Sequence, residues 1–263
     1  MNIAIVQSQY TNGNSQKNLE KMVEQVESCI NKYQNVEIIL FPELSSTGYF
    51  LTKELQDVAD HAAGEHFQIM SAVAKREKII IAYGYVEKED ANMIYNSLMV
   101  INSKGEKIAN YRKIHLTPLE KEFFTAGSEI VVVESEIGKI GLMTCWDLAF
   151  PDLAKALAQK GAEVILAPSA WESPHHEPYE LFARARAIDY TVFIATCNHI
   201  GLSNNLDFFG KSAIYGPDGK VMVKSEEKEE TILFASLDFN QRKKLQDSFF
   251  TMKADFREDL FKR

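Results

Sequence analysis

Residues 36–41 read Val-Glu-Ile-Ile-Leu-Phe and run directly into Pro42 and Glu43. The run is apolar at every position but one, which predicts a strand covered on both faces, and the proline closes it because it cannot donate to a ladder. Residues 78–85 (KIIIAYGY) repeat the pattern, and residues 2–6 (NIAIV) precede it. Between these strands lie helical spacings. Leu19, Met22, Val23, Val26 and Ile30 fall on one stripe, with Ser15 as the expected N-cap, and residues 65–75 form a second helix.

Working outward, residues 95–101 and 107–111 flank Asn102-Ser-Lys-Gly105 and read as a hairpin. Strands are predicted at 130–133 and 139–144, a helix at 151–160, a strand at 163–167, a helix at 179–189 and a strand at 191–196. Residues 212–215 and 220–224 flank Gly216-Pro-Asp-Gly219, a second hairpin signal, and 231–237 supply the last core strand. Strands alternating with helices, plus hairpins, predict a layered α/β protein with mixed sheets. No Ser/Gly-rich linker divides the chain, so one domain over residues 1–263 is expected. From Gln241 onward the charged segment carries Phe249, Phe250, Phe256 and Phe261, which predicts packing on the body or on a partner subunit.

The charge balance narrows the function classes. A formal net charge of -8 disfavours a protein that tracks nucleic-acid phosphates. No basic region followed by a long apolar stretch opens the chain, and no apolar run approaches the roughly 20 residues of a membrane span. Three cysteines form no disulfide framework. A soluble cytoplasmic protein is expected. Cys29 lies beside a helix stripe and Cys197 ends an apolar strand, so both read as core.

Cys145 reads differently. It follows a strand, as do Glu43 and Lys113, and loops beyond strand ends are where layered α/β proteins present reactive side chains. The three meet in one pocket if their strands are neighbours. The chemistry suits such a meeting. A thiol needs a base or a nearby cation to attack at neutral pH, a carboxylate takes its proton, and an ammonium favours the thiolate and stabilises an oxyanion.

The local motifs resemble those of the nitrilase superfamily, the carbon–nitrogen hydrolases. FPELSSTGY at 41–49, YRKIHL at 111–116, EKEFFTAG at 120–127, CWDLAFPD at 145–152, ARARAIDY ending at Tyr190 and FFGKSAIYGPDG at 208–219 occur in one order across essentially the whole chain. The resemblance implies a four-layer αββα sandwich, no cofactor, and a Glu–Lys–Cys triad. By motif, Glu43 is the general base, Lys113 the cationic oxyanion stabiliser and Cys145 the nucleophile. Glu120 takes the place of a second glutamate that orients the lysine; its spacing to Phe123, Phe124 and Gly127 favours it over Glu122. The Trp146 N–H is the implied second oxyanion donor. Two departures stand out, Ala126 where the family often has proline and Asp152 where it often has glutamate.

Trp146, Trp171 and Tyr49 are candidates for the substrate wall, with core packing the rival reading for Trp171 and Tyr49. His175, His176, His199 and Cys197 lack the paired spacings of a zinc site, and loop roles are expected for the histidines. Within the family the Cys-Trp-Asp start resembles amidases and N-carbamoyl amine hydrolases more than nitrilases. The expected activity is therefore hydrolysis of a small linear amide, ω-amidase-like, releasing ammonia and an acid through a thioester. N-carbamoyl amine hydrolysis is the runner-up, and a family-like binding protein the reading outside enzymology. The resemblance also implies a homodimer or larger homo-oligomer.

Overall fold

The structure is a computed structural model that describes residues 1–90 and 93–260. Strands β1 (Asn2–Gln7), β2 (Ile38–Leu40), β3 (Ile80–Lys88), β4 (Ile94–Ile101), β5 (Lys107–Arg112) and, numbered in chain order, β14 (Thr231–Ser236) form one sheet in the order β14-β1-β2-β3-β4-β5. A second six-stranded sheet runs β13-β12-β9-β8-β7-β6. It comprises β6 (Val132–Ser135), β7 (Gly138–Leu142), β8 (Val164–Ser169), β9 (Phe193–Asn198), β12 (Ala213–Tyr215) and β13 (Val221–Lys224). Each sheet has a parallel centre, β1-β2-β3 and β7-β8-β9, with antiparallel strands outside it.

Side-chain alternation explains the layers. Ile3, Ile5, Ile38, Leu40, Ile80 and Ala82 face Ile140, Leu142, Val164, Leu166, Phe193 and Ala195, forming the core between the sheets. The intervening residues point outward. Ala4, Val6, Ile39, Phe41, Ile81 and Tyr83 pack on helices α1 (Ser15–Lys32) and α3 (Glu65–Glu77), after the short α2 (Leu55–Val58). Ile165, Ala167 and Ile194 pack on α4 (Pro151–Gln159) and α5 (His176–Tyr190). The result is helix, sheet, sheet, helix: strands apolar on both faces require a partner on each. Cys29 lies in the first outer layer and Cys197 between the sheets, both buried, as the sequence predicts.

Two details differ from expectation. Asn14, not Ser15, caps α1, its side chain accepting from the Lys17 N–H at 3.0 Å. A hairpin of β10 (Ile200–Ser203) and β11 (Leu206–Phe209), paired with each other, was not legible because each strand is only four residues long. Past β14 the chain forms α6 (Phe239–Ser248) and α7 (Met252–Asp255). Phe239 packs on Phe193, Arg242 donates to the Thr191 carbonyl at 2.7 Å, and Lys155 sits over the Phe256 ring. Phe249 is 80% exposed, so part of this segment lies on the body while part faces outward. Phe261 lies outside the described residues.

Candidate active site

Glu43, Lys113 and Cys145 do not come from neighbouring strands. Glu43 follows β2 and Lys113 follows β5, with β3 and β4 between them, and Cys145 follows β7 of the other sheet. Their convergence depends on what the intervening strands lack and supply. Gly84 of β3 lets the Glu43 loop cross: a Cβ there would lie 2.1 Å from the Leu44 nitrogen and 2.9 Å from the Glu43 Cα. Asn96 of β4 then bridges, its Nδ2 donating to Glu43 Oε1 at 2.7 Å and to Glu120 Oε1 at 3.0 Å.

Lys113 sits at the centre and is buried, not solvated. Its Nζ donates to Glu43 Oε1 at 2.8 Å and to Glu120 Oε1 and Oε2 at 2.8 and 2.9 Å. Glu120 also accepts from the Thr117 N–H at 2.9 Å and the Tyr49 hydroxyl at 3.3 Å. Glu120 is fully buried whereas Glu122 is exposed, which separates the two glutamates that sequence spacing had to choose between. Glu43 Oε2 is buried and has no hydrogen-bond partner among the described residues. One oxygen of this carboxylate is thus anchored and the other is available to take a proton.

The Cys145 loop is built by a capping turn. Cys145 opens a 3-10 turn, Cys145–Ala149, at a φ of 52°, a region uncommon for a side-chain-bearing residue and typical of sites where surrounding contacts hold strain. The first bond of the turn runs from the Asp147 N–H to the Thr144 carbonyl, so the Trp146 N–H lies ahead of it. Asp147 is fully buried and ties this loop to the lysine loop. Its Oδ2 accepts from the Thr144 N–H at 2.9 Å and the Tyr111 hydroxyl at 2.6 Å; its Oδ1 accepts from the His115 N–H at 3.0 Å.

Electrostatics follow from burial and crowding. Burial acts to deprotonate Lys113, but Cys145, Glu120 and Glu43 outweigh it and hold the ammonium well above its ordinary pKa. Burial pushes Glu43 up to about 7, with Lys113 pulling it down and Glu120 pushing it further up. For Glu120 burial also acts upward, but Lys113 and the Thr117 hydrogen bonds prevail and its carboxyl lies below the usual value. The Cys145 thiol is pushed well up by burial and by Glu43; Lys113 and the Ala170 backbone pull it down without compensating. Lys113 thus favours the thiolate, as the sequence reading expects, but burial and Glu43 outweigh it. One cation shared between two carboxylates leaves no surplus positive charge for a third anion.

Trp171 and Trp146 lie in the same apolar cluster as Cys145, their rings 5.6 Å apart and tilted by 45°. Asn198 positions Trp171 by accepting from its N–H at 2.8 Å and donating to its carbonyl at 3.1 Å. The Tyr49 ring meets Phe208 edge-on at 5.6 Å. His199, expected in a loop, is instead buried at the end of β9, where Nε2–H donates to the Glu43 carbonyl. Burial holds its pKa down to about 4, so it is neutral and braces the Glu43 loop. Among the described residues no group of three or more side chains forms a metal-binding cluster. Asn96, Asp147 and His199 were not named as site residues from sequence. Only Asp147 left a signal, as the fourth residue of a Thr-x-x-Asp capping pattern.

Comparisons with known proteins agree with this architecture. The family model described as carbon–nitrogen hydrolase matches residues 2–246. A Schizosaccharomyces pombe protein named a probable nitrilase is 35% identical over 100% of this chain and 97% of its own. A Bacillus subtilis 2-oxoglutaramate amidase is 28% identical over 98% of each. A carbon–nitrogen hydrolase structure from Helicobacter pylori superposes with a TM-score of 0.93 at 25% identity, covering 100% of this chain and 99% of that one. Saccharomyces cerevisiae Nit3, described as a member of branch 10 of the nitrilase superfamily, gives 0.88 at 26% identity over 97% of each chain.

Proposed function

The chain belongs to the carbon–nitrogen hydrolase family, and from that premise we propose that it hydrolyses a small linear amide through a thioester on Cys145. The observation that carries the reading is the divided state of Glu43, with Oε1 held by Lys113 and Asn96 and Oε2 buried and free. Because the thiol is not pre-ionised, proton transfer to Glu43 Oε2 accompanies attack of Sγ on the amide carbon.

The carbonyl electrons move to an oxyanion, which receives the Trp146 N–H and a hydrogen of Lys113 Nζ. All three Nζ hydrogens are engaged at rest. The two-oxygen contact with Glu120 is the one that yields a hydrogen, since one bond to Glu120 survives. Tyr49, Asn96 and Thr117 keep Glu120 in place meanwhile. Collapse of the intermediate breaks the C–N bond, Glu43 returns its proton to the nitrogen, and ammonia leaves. Water, deprotonated by Glu43, then attacks the thioester and releases the acid, restoring the thiol.

Amidase activity in two relatives, the 2-oxoglutaramate amidase and the yeast ω-amidase that is 28% identical over 90% of this chain, supports an amide over a nitrile. A cytoplasmic, homo-oligomeric enzyme fits three unpaired buried cysteines, the outward Phe249, and Leu181 of α5 at 64% exposure. No helix among the described residues is long and apolar enough to cross a membrane.

The test is acid quench during turnover of a simple amide, followed by peptide mass analysis. An acyl adduct on the Cys145 peptide is expected, with no ammonia from Cys145→Ala. Wild-type ammonia release from that variant would sink the mechanism; no turnover of amides, with an N-carbamoyl amine instead giving ammonia, carbon dioxide and a free amine, would move the substrate to that class.

A further inference from the structure

We propose that Glu172 selects substrates whose end remote from the scissile bond carries a positive charge, an ammonium or guanidinium group. This rests on the amidase reading above and specifies its substrate class.

Glu172 is placed by the strap that leaves β8. Trp171 packs in the same apolar cluster as Cys145, and Glu172 follows it directly along the chain. Asn198 fixes the intervening Trp171, and Glu172 itself forms an isolated bridge with Phe208. Phe208 in turn packs on Tyr49, whose hydroxyl reaches Glu120. The Glu172 backbone is therefore fixed at the edge of the reacting cluster by Trp171 on one side and Phe208 on the other.

It is half-buried, and its side chain makes no hydrogen bond or ion pair with any described residue. Lys228, which reaches the adjoining segment, is paired with Asp207, and Asp207 accepts from the Ser173 hydroxyl at 3.4 Å. Lys224 and Lys211 pair with Glu180. A partly exposed carboxylate with no protein cation beside it is open to a cationic ligand. The neighbouring Trp171, 5% exposed, carries a buried Nε1–H that has no acceptor among the described residues. Two adjacent polar groups, one acceptor and one donor, thus await a partner beside the nucleophile.

The Tyr49 hydroxyl is pushed up by burial first, then by Glu120, Glu43, Cys145 and Glu172, which puts Glu172 within electrostatic reach of the same pocket. A substrate bearing a carboxylate at its far end, as 2-oxoglutaramate does, would meet repulsion there.

The experiment compares kcat/KM for 4-aminobutanamide, butanamide and succinamate in the wild type, Glu172→Gln and Glu172→Lys. The wild type should prefer the ammonium substrate over the neutral one, and the neutral one over the anion. In Glu172→Gln the ratio of the first two should fall by roughly tenfold, the effect of losing one charge-assisted bond. Glu172→Lys should reverse the order. A wild-type preference for succinamate, or a Gln variant that lowers all three rates in proportion, overturns the proposal.

Turnover-independent labelling separates this from failure of the amidase reading. Cys145 should react faster with a cationic than with an anionic methanethiosulfonate, and the ratio should drop in Glu172→Gln. If no amide releases ammonia yet the labelling ratio shifts, the amidase reading fails and the charge selection stands. An unshifted ratio counts against Glu172.

Discussion

Gly84→Ala adds one methyl group to a strand and, on the geometry above, disables a site that the glycine itself never touches chemically. The new Cβ would lie 2.1 Å from the Leu44 nitrogen, 2.8 Å from the Glu43 carbonyl carbon and 2.9 Å from its Cα. Ordinary contact begins at 3.4 Å, so the Glu43–Leu44 backbone must retreat by about 1.3 Å. All three atoms are backbone, and the loop is fastened on both sides by the His199 bond to the Glu43 carbonyl and the Ser46 N–H bond to the Gly84 carbonyl. Displacing a reacting group by about 1 Å costs on the order of 100-fold in rate, and overpacking of this kind costs roughly 1–3 kcal/mol of stability. The assay pairs kcat for ammonia release with urea unfolding. Gly105→Ala serves as control: its turn also clashes, with the Ser71 carbonyl at 2.8 Å, but lies in the β4–β5 hairpin loop. The control should lose stability and keep kcat, while Gly84→Ala should lose both. A folded Gly84→Ala enzyme with wild-type kcat would refute the argument that Glu43 reaches Lys113 only across a bare strand.

Other perturbations probe other links. Asp147→Ala strands the Tyr111 hydroxyl and the Thr144 and His115 N–H groups, so urea unfolding should show a loss of roughly 3 kcal/mol; an unchanged midpoint would contradict the latch. Glu43 must be ionised to act as base and is pushed up to about 7, so kcat/KM should rise about tenfold per pH unit below that value and level off above it. The stability linkage runs the opposite way: a carboxyl raised on folding contributes stability at acid pH that is lost as pH rises through about 7. Activity lost at pH 5–6 should therefore return at once on neutralisation, and a flat profile to pH 5 would exclude Glu43 as the base. Truncation after residue 240 removes the exposed Phe249 and should reduce particle size in sedimentation; unchanged size and stability would dismiss the segment as an interface.

Much of the fold was legible because its signals are local. The apolar runs at 36–41 and 78–85 announce strands covered on both faces, and those faces proved to be the inter-sheet core and the helix layer. The β10–β11 hairpin escaped because its strands are only four residues long, and the Asn14 cap because backbone geometry, not period, sets it. For the site, motif order nominated Glu43, Lys113, Glu120 and Cys145. The premise that neighbouring strands bring them together did not hold.

What the amino-acid order determined by itself was therefore the inventory: which segments become strands, and which nucleophile, carboxylates and ammonium stand at their ends. Tertiary structure alone decided their relations. Sheet order set β3 and β4 between Glu43 and Lys113, and made Gly84 and Asn96 part of the site although neither carries reactive chemistry. Burial and two carboxylates bound to Lys113 outweigh the pull of that lysine on the thiol, so the Cys145 pKa is raised. Strand formation follows from periodicity over a few residues, whereas ionisation and alignment depend on desolvation and on tertiary contacts, some between residues 70 positions apart, which no local pattern records.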